Sequence, residues 1–293
     1  DGGPTFSRIV AGIMRLREWG MDTAALLDFI HQCLDSGITT FDHADIYGSY
    51  EVEELFGKAL AAEPSLRGRI ELVTKCGIQL VSPNRPQTRV HHYDTGREHI
   101  IASAERSLRN LRTDTLDLLL IHRPDPLMDA DEVAAALTAL LAAGKVRHVG
   151  VSNFTSRQFE LLQSRLDAPL VTNQIELSVL YLAPLHDGTL DLLQQRRVPP
   201  MAWSPVAGGR LFSPSDDRAR RVRATLETIG GDIGASVDQV ALAWLLRHPA
   251  RVLPVLGTGK IERLREAAAA EHITLDRQQW FAVWQASAGH EVP

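Results

Sequence analysis

The segment "GITTFDHADIYG" (residues 37–48) passes from an apolar, β-branched run into three polar side chains. The apolar part is typical of a buried strand, because β-branched and aromatic side chains pack well on a sheet. Asp42, Asp45 and Tyr47 follow, and residues 50–60, "YEVEELFGKAL", have a helical period with acids in the first turn. This order predicts a strand–helix unit with functional groups at its junction, where Asp45 is expected to cap the helix or bond within the loop.

Apolar runs of the same kind recur along the chain, and each precedes a segment with helical period. Eight of them read as continuously buried strands, as in a parallel sheet covered on both faces. They are residues 8–14, 39–45, 70–78, 116–124, 146–154, 171–177, 199–206 and 251–258.

Eight strands alternating with helices over about 250 residues predict an α/β fold of the (β/α)8 TIM-barrel type. We expect one domain over residues 1–293, with long connections at 79–96 and 207–235. A doubly wound sheet is the alternative, but it often carries a Gly-rich phosphate turn after its first strand. No G-x-G-x-x-G occurs in this sequence.

Composition excludes several classes of protein. The net charge of −5 gives no basic excess for a nucleic-acid partner, and no apolar run approaches the length of a membrane span. Cys33 and Cys76 are far apart, which argues against a disulfide framework and against a metal site. We therefore expect a cytoplasmic protein without nucleic-acid or membrane partners and without a bound metal.

Polar residues lie at the predicted carboxyl ends of the strands, where barrel enzymes carry their chemistry. Tyr47 is a proton donor, and an ammonium at Lys75 would lower the pKa of its phenol. Asp42 would keep Lys75 charged, and His122 could hydrogen-bond an oxygen that becomes negative. These four groups fit the reduction of a carbonyl, in which charge develops on oxygen and a proton must follow.

Seven segments, in this order, resemble the aldo-keto reductases along nearly the whole chain, and the likeness is strongest to a bacterial subgroup of generic oxidoreductases. They are "FDHADIYG", "VTKCG", "LDLLLIHRPD", "GKVRHVGVSNF", "TNQIELS", "AWSPVAGG" and "VLGTGKIERLREA". The resemblance implies an NADPH-dependent reductase of aldehydes or ketones that is a monomer. Its catalytic residues would be Asp42, Tyr47, Lys75 and His122, with Tyr47 as the general acid.

The resemblance also implies a cofactor site that needs no Gly-rich turn. Ser152, Asn153 and Gln174 would bind the nicotinamide carboxamide, Trp203 would stack on its ring, and Arg263 would bind the 2′-phosphate. The full expected cofactor set is Met14, Arg15, Ser152, Asn153, Gln174, Trp203, Ser204, Pro205, Val206, Ala207, Gly208, Leu256, Gly257, Thr258, Gly259, Lys260 and Arg263.

Trp19 and Arg123 are expected to contact the small-molecule carbonyl substrate, although Arg123 could equally form a salt bridge. Two other functions compete with reduction. Lys75 could form a Schiff base, as in class I aldolases, but that leaves Ser152, Gln174 and Arg263 without a role. A regulatory protein that binds cofactor without turnover, like the potassium-channel β subunits, would also keep these residues.

Overall fold

Eight parallel strands close into a barrel in the computed structural model, which describes residues 3–293. Strands that follow one another in the sequence pair with one another in the barrel. The ring closes where β1 pairs with β8, at Val10 and Val255. The strands are β1 (Val10–Gly12), β2 (Thr40–Asp42), β3 (Glu71–Cys76), β4 (Leu116–Ile121), β5 (Val146–Ser152), β6 (Leu170–Glu176), β7 (Met201–Trp203) and β8 (Leu253–Leu256).

All eight predicted strands are present, which confirms the (β/α)8 barrel. Most are shorter than predicted, because the polar residues after each apolar run leave the sheet and turn towards the mouth. A small apolar cluster fills the barrel interior below that mouth. It comprises Val10, Val73, Leu118, Leu120, Met201, Leu253 and Val255.

The helices that follow the strands pack around the barrel, and several of them begin at a residue whose side chain caps the first turn. Asp22, Asp129, Thr155 and Ser236 each accept a backbone N–H in the first turn, which stabilises the helix start. The helices of this layer are Thr23–Asp35, Val52–Ala62, Arg97–Asn110, Ala130–Ala142, Ser156–Gln163, Thr189–Arg196, Val237–Leu246 and Ile261–Ala269.

Two further long helices, Asp217–Ile233 and Arg277–Ala288, lie against each other outside this layer. The second also contacts the helix Val237–Leu246. Its Trp280 stacks on Trp244 with ring centroids 4.7 Å apart, and each indole N–H donates to the backbone carbonyl of the other residue. These paired contacts fix the C-terminal helix on the barrel.

The connection predicted at 79–96 carries a short antiparallel hairpin that the sequence pattern did not indicate. Ile78–Gln79 pairs with His92–Tyr93. The strands are only two residues long, so they show no alternation that could be read from the sequence.

Asp45 links the end of β2 to the helical layer. Its backbone N–H donates to the carbonyl of Lys75 at 3.0 Å, so the chain continues alongside β3 beyond Asp42. The carboxyl group is buried beside Glu53 and Arg106 and caps neither nearby helix. Burial, reinforced by the charge of Glu53, raises the pKa of Asp45 to about 8.

Gly57 is required by close packing between two helices. A Cβ atom at this position would lie 1.8 Å from the carbonyl oxygen of Asn110. We expect Gly57→Ala to lower the free energy of unfolding by about 1–3 kcal/mol or more, because backbone must move. Gly231 is also inside a helix but meets no atom within 4 Å, so Gly231→Ala should be neutral or stabilising by up to ~1 kcal/mol. Urea unfolding measures both, and equal effects would contradict the packing argument.

The raised pKa of Asp45 predicts a pH-dependent stability. The folded state binds this proton more tightly than the unfolded state, so the contribution is complete below about pH 4 and is lost as pH rises through about 8. Asp45→Asn removes the ionisation and should reduce the loss of unfolding free energy between pH 5 and pH 9, by an amount on the order of a few kcal/mol.

Asp114 is exposed and supplies the matched control, Asp114→Asn. Urea unfolding at the two pH values measures all three proteins. A pH dependence that is the same in wild type and Asp45→Asn would show that Asp45 is already ionised in the folded state.

Candidate active site

Lys75 connects three groups at the mouth of the barrel. Its Nζ donates to Asp42 Oδ2 at 2.7 Å, to the His43 carbonyl oxygen at 2.8 Å and to Tyr47 Oη at 3.1 Å. Asp42 lies at the end of β2 and Lys75 within the neighbouring β3, so the sheet itself brings them together. The predicted contact between Asp42, Lys75 and Tyr47 is therefore present.

The charge of Lys75 is stabilised although its side chain is fully buried. Burial alone lowers the pKa of a lysine, but the charge of Asp42 and the contact with Tyr47 outweigh it and leave the pKa of Lys75 raised. All three ammonium protons have acceptors, which offsets much of the cost of burying the charge.

Tyr47 and His122 are both held in their neutral forms. Burial raises the pKa of the Tyr47 phenol, and Lys75 opposes this shift without reversing it. Burial, together with Lys75 and Arg123, places the pKa of His122 well below its usual range. The two rings meet edge to face, with centroids 6.0 Å apart. The mouth thus offers two neutral groups able to donate a proton or a hydrogen bond to one oxygen.

A cavity of about 500 Å³ opens above these groups and extends across the barrel mouth. Most of the residues predicted to bind cofactor lie along it. Those that line the cavity are Met14, Arg15, Ser152, Asn153, Gln174, Trp203, Ser204, Pro205, Val206, Gly208, Leu256, Gly257, Thr258 and Arg263.

Hydrogen bonds fix the side chains along one wall of this cavity. Gln174 Nε2 donates to Asp42 Oδ1 at 2.8 Å, which leaves the amide oxygen of Gln174 available. Ser152 Oγ donates to the Gln174 carbonyl, and Asn153 donates to Ser152 Oγ at 2.7 Å. The indole N–H of Trp203 donates to Asn153 Oδ1 at 2.9 Å. Asn153 thus orients Trp203, a role that the sequence did not indicate.

The far end of the cavity fits a phosphate. The exposed Arg263 lies in the first turn of the helix Ile261–Ala269, which has no side-chain cap. Within residues 3–293, Arg263 has no carboxylate within ion-pair distance. A free guanidinium at a helix N-terminus suits an anion because the positive end of the helix dipole adds to the charge.

Four predicted binding residues do not line the cavity. The Trp19 ring packs on Phe29, and a Cβ atom at Gly259 would lie 2.6 Å from that ring. Trp19 therefore packs against Gly259 beside the cavity, and neither residue lines it. Lys260 is exposed outside the cavity. The Ala207 N–H donates to the Ser204 carbonyl within its own turn.

Arg123 lines the cavity beside Trp203. Its guanidinium is 5.7 Å from the centre of the Trp203 ring, a cation–π geometry. The part of the chain that the structure describes contains no salt bridge to it. The sequence left open whether Arg123 forms a salt bridge or lies at the rim of the cavity, and the structure favours the rim.

Several residues that line the cavity were not predicted from the sequence. Ile46 and Ile78 each lie close to a predicted polar strand end, so their apolar character hid them. Asp238 and Leu242 are four residues apart on the helix after the long connection, and this spacing could have indicated a shared face. Phe212 lies in that connection, where no periodic signal exists.

Two features are absent from residues 3–293. No helix there has both the length and the apolarity of a membrane span. Across the same residues, no cluster of three or more His, Cys, Asp or Glu side chains could hold a metal ion.

Comparisons with known proteins agree with the fold and the cavity. The model of the aldo/keto reductase family matches residues 8–288. An uncharacterized oxidoreductase, YcsN, of Bacillus subtilis is 56% identical over 98% of this chain and 96% of its own. A 6-dehydroglucose reductase of Agrobacterium fabrum is 50% identical over 98% of this chain and 96% of its own.

A solved structure extends the comparison to the cofactor. The aldo/keto reductase of Klebsiella pneumoniae, in complex with NADP and acetate, is 27% identical, with a TM-score of 0.76 over 98% of this chain and 93% of its own. Enzymes of this family use NADP(H), which matches the cavity and its free arginine. The chain belongs to the aldo/keto reductase family of NADP-dependent oxidoreductases.

Proposed function

We propose that this enzyme reduces an aldehyde or ketone to an alcohol, with Tyr47 as the general acid. The observation that carries the proposal is the buried Lys75 ammonium, which contacts Asp42 and the phenol of Tyr47 at the same time. A proton donor next to a fixed positive charge suits the protonation of an oxygen that is becoming negative.

His122 would orient the substrate carbonyl. Its neutral ring can donate one N–H while Tyr47 donates its O–H, so both bonds converge on the same oxygen. As the proton leaves Tyr47, Lys75 stabilises the phenolate that forms. Asp42 does not contact the substrate in this scheme; it acts by keeping Lys75 charged.

NADPH, when bound, supplies the hydride. We propose that the free amide oxygen of Gln174 and the Ser152–Asn153 pair hold the carboxamide of its nicotinamide, with Trp203 beneath the ring. Arg263 would bind the 2′-phosphate, with Thr258 nearby. The backbone N–H groups of Val206 and Gly208 would face the pyrophosphate, since both residues line the cavity.

We further propose that the substrate is a hydroxylated aldehyde. The relative from Agrobacterium is a 6-dehydroglucose reductase, and that name denotes a hexose oxidised at C6. Arg123 has several N–H donors and lines the same cavity as Tyr47 and His122, so we propose that the remainder of such a substrate extends towards it. Hydroxyl groups would satisfy these donors, whereas a plain alkyl chain would leave them unpaired.

We further propose that the protein is a monomer in the cytoplasm. Both cysteines are buried and free, which suits a reducing compartment.

The decisive test compares wild type with Tyr47→Phe. We expect wild type to oxidise NADPH with an aldehyde and the variant to lose at least about 100-fold in kcat, because the general acid is missing. Binding of NADPH, followed by quenching of tryptophan fluorescence, should stay within about twofold. Absorbance of NADPH measures turnover, first with a reactive aromatic aldehyde and then with sugar aldehydes.

The other outcomes identify what is wrong. Turnover that persists in Tyr47→Phe would remove Tyr47 as the proton donor. A wild type that binds NADPH and reduces no carbonyl would favour the regulatory function. A preference for aromatic aldehydes over all sugar aldehydes would contradict the proposed hydroxylated substrate and leave the proposed reaction unaffected.

A further inference from the structure

The backbone immediately after Tyr47 adopts an unusual conformation. Gly48, Ser49 and Tyr50 have φ angles of 55°, 58° and 74°, so three consecutive residues lie in the left-handed region. Glycine tolerates this conformation, but serine and above all tyrosine adopt it only when surrounding contacts enforce it. The chain thus stores strain directly beside the proposed proton donor.

Contacts from one segment of the connection after β3, residues 80–85, hold the strained turn. The N–H of Leu80 donates to Tyr50 Oη at 2.7 Å. Asn84 Nδ2 donates to the carbonyl of Ser49 at 2.9 Å and to Glu51 at 3.1 Å. We call residues 80–85 the strap.

Tyr50 is the centre of this arrangement. Its side chain is only 8% exposed, and the guanidinium of Arg85 lies 4.4 Å from the centre of its ring. The strap therefore contacts Tyr50 at the hydroxyl and at the ring face. Tyr50 does not line the cavity, so a direct role in binding the substrate does not explain it.

The turn also sets the position of Tyr47. The backbone N–H of Glu51 donates to the Tyr47 carbonyl at 3.2 Å, and that of Tyr50 donates to the Ile46 carbonyl at 3.3 Å. If the left-handed residues relaxed to ordinary φ values, the chain on either side would rotate. The phenol of Tyr47 would then move relative to Lys75 Nζ, which is anchored on β3.

We propose that Tyr50 is a positioning residue for the proton donor, and that the strap holds the left-handed turn which aims Tyr47 at Lys75 and His122. The effect on catalysis that we propose for Tyr50 rests on the proposed role of Tyr47 as proton donor. Ile78, just before the strap, lines the cavity, so the same connection forms part of the cavity wall and fixes the proton donor.

The test is Tyr50→Phe, which removes one hydroxyl and keeps the ring beneath Arg85. We expect kcat to fall about fivefold to twentyfold while the KM for NADPH changes less than about twofold, since only the proton donor is displaced. Tyr181→Phe is the matched control, because Tyr181 is 41% exposed and does not line the cavity.

A second readout is independent of activity. The chain has four tyrosines, so 19F spectra of protein labelled with 3-fluorotyrosine can be assigned by single Tyr→Phe variants. In Tyr50→Phe the Tyr47 resonance should shift or broaden as the ring samples more than one position. In Tyr181→Phe it should be unchanged.

These readouts separate the two proposals. If Tyr47→Phe remains active in the same assay, the proposed function fails, and the Tyr47 resonance alone decides whether Tyr50 positions that ring. If Tyr47→Phe is inactive while Tyr50→Phe keeps wild-type kcat and an unchanged Tyr47 resonance, the positioning role is overturned. A lower melting temperature in Tyr50→Phe with both readouts unchanged would overturn it equally, because it would reveal a structural role only.

Discussion

The ion pair between Lys75 and Asp42 is the constraint on which the site depends. An ammonium buried at the mouth of a barrel is unfavourable unless each of its protons has an acceptor. Asp42, the His43 carbonyl and Tyr47 provide these acceptors, and Gln174 in turn donates to Asp42. One buried charge therefore orders the ends of β2, β3 and β6 together and links Tyr47, the proposed proton donor, to the wall of the cavity.

The barrel could be predicted from sequence because every parallel strand is a continuous apolar run followed by polar residues. Asp42, Lys75 and His122 were recognisable for the same reason, since a charge or an imidazole at the end of such a run needs an explanation. The strand ends were predicted less accurately. At 39–45 the paired strand ends at Asp42, but the chain continues alongside β3 as far as Asp45. Periodicity cannot distinguish a paired strand from an extended segment that runs beside one.

The rest of the site required three-dimensional information. Trp19 was expected to contact substrate but packs on Phe29, because only the fold decides which face of a ring is covered. Asp238 and Leu242 reach the cavity from a helix that lies far from the strand-end motifs in sequence. Gly48 is compatible with a left-handed turn, but nothing in the sequence indicates that Ser49 and Tyr50 share this conformation, because residues with a side chain seldom adopt it.

In the proposed reaction, Asp42 acts through Lys75 to support Tyr47. The most direct measurement is the pH profile of kcat/KM for carbonyl reduction in wild type and Asp42→Asn, with NADPH binding measured alongside. Removing the Asp42 charge should lower the pKa of Lys75, so kcat/KM should fall at least about tenfold and its alkaline limb should move to lower pH. An unchanged profile with a rate within about twofold of wild type would show that Asp42 does not support Tyr47 through Lys75.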